Sequence, residues 1–278
     1  MTNAHGQLLY RHLKSSLDPD QIADRLQYRP QTMELHLFEV DVEQPERIAA
    51  VIQQLQGLDI KVFLHHPMKI QGKYLDILSD DPEVFEYYRF SCRVLHDICQ
   101  EHQVYCVVHP HYSRGPSGRL NLGDNAEVEA RSIELRDAIE DVRSTMGEWF
   151  LWENTPTGVF SNMNPLWLTH IVAPLELPVC YDISHSFMSL KGDNRRLVED
   201  VRALFPYTRY YHVVDSLGTV VHDALPLGQG RIDWRALKPY IVERDFIFEI
   251  GLQDQGDCTA MVESATFFAA LPSDDLDS

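Results

Sequence analysis

The sequence predicts an α/β fold in which one domain, residues 1–278, forms a closed (β/α)8 (TIM) barrel. Eight short runs rich in β-branched or aromatic residues alternate with eight longer segments of helical periodicity, as in repeated βα units around a parallel sheet. The length of 278 residues and the 44% hydrophobic content suit such a barrel, which typically takes about 250 residues. A six-stranded open sheet with an appendage is the alternative if the first strand is misassigned.

The elements follow in order along the chain. We expect strands at 7–11, 32–38, 60–64, 104–108, 149–152, 179–181, 209–213 and 246–248. We expect helices near 19–26, 45–55, 82–103, 125–146, 165–172, 194–204, 234–243 and 258–271. Several of these helices have proline in the first turn, where its missing N–H is harmless.

Composition and charge narrow the classes of function. Asp and Glu outnumber Lys and Arg by 42 to 24, and the resulting net charge of -18 repels polyanions, so a nucleic-acid partner is not expected. The chain lacks a run of about 20 apolar residues, and its first residues lack the apolar centre of a signal peptide. Five cysteines without a CxxC pair indicate reduced thiols. We therefore expect a cytoplasmic protein without a membrane partner.

Ionisable residues stand directly after the apolar runs of six of the predicted strands. A single such residue is typical of a helix cap or a loop hydrogen bond. Six in succession would meet at one mouth of a parallel barrel, where a divalent cation is the ordinary way to hold several carboxylates together. Mixed carboxylate and imidazole ligands favour Zn or Mn, and we expect one or two ions per chain. The residues are His65 and His66, His109 and His111, Glu153, Asp182 and His185, His212 and Asp215, and Glu249.

Two loops near this mouth have features that fit an anion. Arg114, in a loop rich in Gly and Pro, and Arg231 could contact a phosphate or carboxylate of a substrate, or be solvated at the rim. The segment Gly228-Gln229-Gly230 could offer backbone N–H groups to an anion or form a tight turn.

An ordered set of short motifs resembles the xylose-isomerase-like barrel superfamily. Within it, the endonuclease-IV-like branch, the family 2 abasic-site endonucleases, is the most similar. The motifs are His65-His66-Pro67, His109-Pro110, Glu153-Asn154-Thr155, Asp182-Ile183-Ser184-His185, His212-Val213-Val214-Asp215, Leu227-Gly228-Gln229-Gly230 and Phe248-Glu249.

The resemblance implies a set of metal ligands. One metal would be bound by Glu153, Asp182, His212 and Glu249, the set shared with sugar epimerases. A second would be bound by His65 and His109, with Glu153 bridging.

At three positions the residue differs from the one that the nuclease or epimerase branch has there. The nuclease branch holds a third metal partly through an Asp-x-His pair, but positions 222 and 224 are His and Ala here. The epimerase branch binds substrate through an arginine, and Gly218 occupies that position.

These observations favour a metal-dependent isomerase or epimerase of a small sugar, polyol or sugar phosphate. Glu153 and Glu249 would move a proton beside a metal-polarised carbonyl, and His185 would hold a substrate oxygen. One alternative is an endonuclease-IV-like phosphoester hydrolase, and another is a noncatalytic metal-binding barrel. A homo-oligomer is compatible with either class of enzyme.

Overall fold

Eight parallel strands close into a barrel in the computed structural model, which describes residues 10–110, 123–147, 149–219 and 223–272. Each strand pairs with its sequence neighbours, and the first pairs with the last through Leu13 and Phe248. The predicted barrel is therefore confirmed. The strands are β1 His12–Ser15, β2 Thr32–His36, β3 Lys61–His65, β4 Tyr105–Val108, β5 Phe150–Glu153, β6 Val179–Asp182, β7 Thr208–Val213 and β8 Asp245–Phe248.

Helices lie between the strands and pack on the outside of the barrel. A π-helix, Trp167–Val172, precedes β6, and a small antiparallel hairpin, Lys69–Ile70 with Lys73–Tyr74, follows β3. The α-helices are α1 Pro19–Gln27, α2 Glu39–Val42, α3 Pro45–Gln56, α4 Pro82–His102, α5 Asn125–Met146, α6 Ile183–Ser189, α7 Asn194–Leu204, α8 Trp234–Ile241 and α9 Thr259–Ala270.

The predicted position of the first strand is wrong. We expected it at 7–11, whereas the first barrel strand, β1, runs from His12 to Ser15; residues 7–9 lie outside the described residues. The charge of Lys14 interrupts the apolar pattern in this segment, so the hydrophobic run that marks the other strands is missing. Two short helices, α2 and α6, were also not predicted, because their 4 and 7 residues are too few for a periodic pattern.

A layer of buried side chains from six strands packs inside the barrel. Side chains alternate between the two faces of a sheet, so the side chain two positions after each of these residues also points to the inside. The layer consists of Phe63, Val107, Leu151, Cys180, Tyr210 and Ile247.

All five cysteines are buried and free, as reduced thiols should be. Among the described helices, none has the length and hydropathy needed to cross a bilayer.

Candidate metal centre

Six ionisable residues lie two positions after the six residues of the inner layer. Strand alternation therefore brings them to the inside of the barrel, one step nearer its carboxyl end. Every one of them is buried except Glu249, whose side chain is 25% exposed. They are His65, His109, Glu153, Asp182, His212 and Glu249.

The first group contains the four residues that the resemblance implied for one metal. One potential ligand atom from each of Glu153, Asp182, His212 and Glu249 lies within 4.8 Å of the others. His212 is the centre of this group, because its Nδ1 is 3.1 Å from Glu153 Oε1 and 2.5 Å from Glu249 Oε2. Asp182 Oδ2 lies farther from this nitrogen, at 3.9 Å.

The second group shares Glu153 with the first. His65 Nε2 lies 3.3 Å and His109 Nε2 lies 2.9 Å from Glu153 Oε2. His65 is oriented through its other ring nitrogen, since Nδ1 lies 2.9 Å from the carbonyl oxygen of His66. The structure thus brings together all six residues that we expected as ligands, in two groups with Glu153 between them.

Asp182 serves the backbone and the first group at the same time. Its Oδ1 accepts hydrogen bonds from the backbone N–H of His185, at 2.7 Å, and from Ser184 Oγ, at 2.8 Å, and so caps helix α6. Its Oδ2 is buried and receives no hydrogen bond from the residues that the structure describes. The capping role and the ligand role are therefore compatible, because each uses a different oxygen.

Opposite charges set the protonation states in the cluster. Burial raises the pKa of Glu153, but His109 and His212 outweigh burial and hold its pKa well below the usual range. Burial likewise raises the pKa of Glu249, and His212 and Lys14 bring it well below the usual range. Burial lowers the pKa of His109 more than Glu153 raises it. Glu153 and Glu249 are thus carboxylates, and burial favours the neutral ring of His109. Burial also lowers the pKa of His212, but Cys180 and the neighbouring carboxylates outweigh burial and hold this pKa well above 6.5, so His212 must release a proton to bind a cation.

The donor set fits a divalent cation. Glu153 Oε2, Asp182 Oδ2 and Glu249 Oε2 are buried, and no well-directed hydrogen bond reaches them within the described chain, although histidine nitrogens lie close to two of them. Buried carboxylate oxygens are ordinarily paired with donors or cations, so three in one place mark a site for positive charge. Three carboxylates and a histidine suit Mn or Zn, and two histidines with a carboxylate suit Zn.

Three residues that support the cluster were not expected from the sequence. Glu34 lies within hydrogen-bond distance of His212, and Lys14 pairs with Glu34 and Glu249. Asn154 links the ends of β5 and β6, because its Oδ1 accepts from the backbone N–H of Asp182 and its Nδ2 donates to the Asp182 carbonyl oxygen. Asn154 directly follows Glu153 in a motif, whereas Lys14 and Glu34 precede the motifs and carry no such signal.

The structure places only some of the other expected site residues beside the cluster. His185 is 8% exposed and lies beside the cluster, with Nδ1 3.6 Å from Glu153 Oε1 and 2.8 Å from the Asn154 carbonyl oxygen. Arg231 is exposed, and within the described chain its side chain makes no ion pair with the cluster. Arg114, His111 and His222 lie outside the described residues.

The segment Gly228-Gln229-Gly230 forms a tight turn. The backbone N–H of Gly228 donates to Asp215 Oδ2 at 2.8 Å, and the N–H of Gln229 donates to the Pro226 carbonyl oxygen at 3.1 Å. These two N–H groups are satisfied within the protein, so the alternative of an anion site at this loop is not supported.

Two cavities lie at opposite ends of the barrel. The larger, about 710 Å³, opens at the amino ends of the strands and contains none of the six cluster residues. A second cavity of about 490 Å³ is lined by Lys14, His36, Phe38 and Glu249 and adjoins the cluster. We assign the candidate site to the carboxyl end because the ionisable cluster lies there, as in other barrels of this architecture.

The fold and the cluster define a (β/α)8 barrel with a candidate metal centre at its carboxyl mouth. A sequence model of the xylose isomerase-like TIM barrel matches residues 30–254. The chain belongs to this family. A search of curated proteins gives no match.

Several solved structures have similar folds. A D-tagatose 3-epimerase-like protein has a TM-score of 0.68 and 17% identity, with 92% of this chain and 95% of that chain covered. A putative xylose isomerase from Rhodospirillum rubrum has a TM-score of 0.70 and 14% identity, with coverage of 94% and 99%. D-psicose 3-epimerase from Clostridium cellulolyticum H10, solved with D-tagatose, has a TM-score of 0.60, 12% identity and 92% coverage of both chains. At these identities the likeness concerns the fold.

Proposed function

We propose that this protein is a divalent-metal-dependent epimerase or isomerase of a small sugar or a related hydroxycarbonyl compound. The observation that carries the proposal is the group formed by Glu153, Asp182, His212 and Glu249, whose ligand atoms lie within 4.8 Å of one another. The names of the similar structures, a D-tagatose 3-epimerase-like protein and a D-psicose 3-epimerase among them, support the substrate class.

The four residues of the first group would hold the cation, and Glu153 with His65 and His109 could hold a second. A bound divalent cation would polarise the carbonyl and adjacent hydroxyl oxygens of the substrate.

Glu153 and Glu249 would move the proton at the carbon next to that carbonyl. In an epimerisation, one carboxylate removes the proton from one face of the carbon, and the other returns a proton to the opposite face. Glu249 is the more accessible of the two, since its side chain is 25% exposed and lines the cavity of about 490 Å³. Glu153 is held by three histidines deeper in the mouth.

His185 would hold a substrate oxygen. Its backbone N–H is bound to Asp182, and its ring lies beside Glu153, which restricts the position of the imidazole. The roles of Arg114 and Arg231 as substrate contacts stay predictions.

Solvent exchange tests the proposal directly. Protein stripped with chelator and reloaded with Mn²⁺ or Zn²⁺ is incubated in D₂O with D-tagatose, D-fructose and D-psicose, and with a wider set of sugars and sugar phosphates. We expect metal-dependent deuterium incorporation beside the carbonyl, seen by NMR, and loss of this exchange in Glu249→Gln. Glu243→Gln is the matched control, because Glu243 lies at the opposite end of the barrel. Absence of exchange in every sugar with metal-loaded protein would contradict the proposal.

A second function is favoured by one specific observation, the group of His65, His109 and Glu153. A two-metal phosphoester hydrolase uses paired ions to activate a water and to stabilise the leaving oxygen. Cleavage of a duplex with an abasic site, abolished by chelator and by Glu153→Gln, would replace the epimerase proposal. If metal binds and neither reaction occurs, the noncatalytic barrel becomes the preferred interpretation.

A further inference from the structure

Lys14 and Glu34 form a buried ion pair next to the candidate metal group. Glu34 is fully buried on β2, and the side chain of Lys14 on β1 is 12% exposed. Lys14 Nζ lies 2.9 Å from Glu34 Oε1 and 2.5 Å from Glu249 Oε1. Glu34 Oε2 lies 2.8 Å from His212 Nε2. The four side chains therefore form a closed ring of contacts.

Glu34 determines which nitrogen of His212 faces the candidate ligands. His212 must be neutral to bind a cation and then has one N–H, for which the Glu34 carboxylate is the acceptor at Nε2. When Nε2 carries the hydrogen, Nδ1 has a lone pair directed toward Glu153 and Glu249, which lie 3.1 and 2.5 Å away. Carboxylate partners of this kind orient metal-binding histidines and increase their basicity.

Lys14 balances the negative charge of the same region. Glu34, Glu153, Asp182 and Glu249 place four acidic groups close together, and uncompensated charges in a protein interior are costly. Lys14 contacts two of them and is the one Lys or Arg of the described chain within ion-pair distance of the cluster.

We infer that Lys14 and Glu34 are positioning residues for the metal centre. Glu34 holds His212 in the ligand tautomer, and Lys14 supplies the positive charge that keeps Glu34 and Glu249 together when no cation is bound. The inference rests on the proposed function for the identity of the ligand as a divalent cation. It adds two residues that act through His212 and Glu249 and do not themselves bind the cation.

Metal affinity tests the role of Glu34. We expect Glu34→Ala to bind Mn²⁺ or Zn²⁺ about 10- to 100-fold more weakly in titration calorimetry, the usual effect of removing an outer partner of a ligand. Glu34→Gln should lose less affinity, because an amide oxygen still accepts the hydrogen bond. The absorption spectrum of bound Co²⁺ should change in Glu34→Ala, since the geometry around His212 changes.

Stability without metal tests the role of Lys14. Metal-free Lys14→Met should unfold at a lower temperature than the wild type, because Glu34 and Glu249 lose the ammonium group that contacts both of them. The double variant Lys14→Met/Glu34→Gln should regain part of this loss, and added Mn²⁺ should raise Tm more in Lys14→Met than in the wild type. Lys61→Met is the control, since Lys61 pairs with Asp245 at 2.5 Å near the opposite end and is 54% exposed.

The outcomes separate this inference from the proposed function. If folded Glu34→Ala binds metal with wild-type affinity and an unchanged Co²⁺ spectrum, the positioning role of Glu34 is wrong. If metal-free Lys14→Met is as stable as Lys61→Met, the counter-charge role of Lys14 is wrong. A wild type that binds metal but exchanges no proton with any sugar overturns the proposed function and leaves both positioning roles intact.

Discussion

At the scale of single residues, Glu153 connects the two candidate metal groups. Its carboxylate lies within ion-pair distance of His65 and His109 on one side and of His212 on the other. Because this side chain is only 1% exposed, solvent contributes little to satisfying its charge. A change at this position should therefore affect both groups at once, whereas a change at His65 should affect one.

Glu153→Gln should lower activity by about 10²- to 10⁴-fold, because the proposed proton carrier is lost. The bound metal per chain should also fall, since an amide is a weaker ligand than a carboxylate. Metal content by mass spectrometry and proton exchange by NMR check both effects. The control is Glu199→Gln, whose carboxylate is 62% exposed and lies 3.8 Å from Arg195. Full metal content together with full activity in Glu153→Gln would rule out the assignment.

His12 should make folding stability depend on pH. Its ring packs on Phe246 at 4.3 Å between centroids, and burial lowers its pKa from 6.5 to about 4, although Asp245 raises it. The folded state thus prefers the neutral ring, so this stabilisation is complete above pH 6.5 and is lost as the pH falls toward 4. We expect Tm to fall less between pH 7.5 and 5 in His12→Gln than in the wild type. An equal pH dependence of the two proteins would contradict this role.

At the scale of elements, strand ends and their loops hold the cluster. Asp215 follows β7, and its carboxylate accepts the backbone N–H groups of Ser216 at 2.9 Å, Gly228 at 2.8 Å and Ile232 at 3.3 Å. One side chain therefore organises the loop that follows the histidine strand. Close backbone packing explains why position 218 is a glycine, because an added Cβ there would lie 2.5 Å from Gly192 Cα. The arginine that the resemblance to epimerases implied at this position does not fit this backbone.

Gly230→Ala should disturb the loop that Asp215 organises. An added Cβ would lie 2.1 Å from Asp215 Oδ1, far inside van der Waals contact, so the carboxylate or the loop has to move. Overpacking of this kind costs about 1–3 kcal/mol. Chemical denaturation measures the change in unfolding free energy. Gly256→Ala is the control, because that Cβ would approach only Asp254 Oδ1, at 3.2 Å. A Gly230→Ala protein as stable as the control would contradict the tight packing of this turn.

At the scale of the whole molecule, the closed barrel gathers acidic groups from distant parts of the chain. Glu249 and Lys14 are 235 residues apart, and Glu34 and His212 are 178 apart, yet each pair is in contact. Neighbouring carboxylates in a protein of net charge -18 favour the binding of cations.

Divalent metal should stabilise the entire fold, because the ligands lie on or directly after different strands and are assembled only in the folded state. Metal at about 100 times its Kd should raise the free energy of unfolding by about 2.7 kcal/mol per site. Calorimetric scans of chelator-treated protein with and without Mn²⁺ or Zn²⁺ measure this shift, with NaCl at matched ionic strength as the control. The same Tm in both scans would show that the cluster does not bind these ions.

The sequence by itself determined the barrel and its six inward ionisable residues. Seven of the strands carry apolar runs, and alternation within a strand together with parallel pairing is enough to bring Glu153 and His212 to one mouth. These are local patterns, so they can be recognised without knowing which segments meet.

Only the tertiary structure decided which partners support those residues. Lys14 interrupts the apolar pattern of β1, so this strand was not predicted at its position. Glu34 lies on β2, and no motif marks it as a functional residue. Their roles depend on contacts with Glu249 and His212, which are distant along the chain. Such contacts arise because the sheet closes and β1 pairs with β8. The residues in contact are far apart along the chain, so no local sequence pattern predicts them.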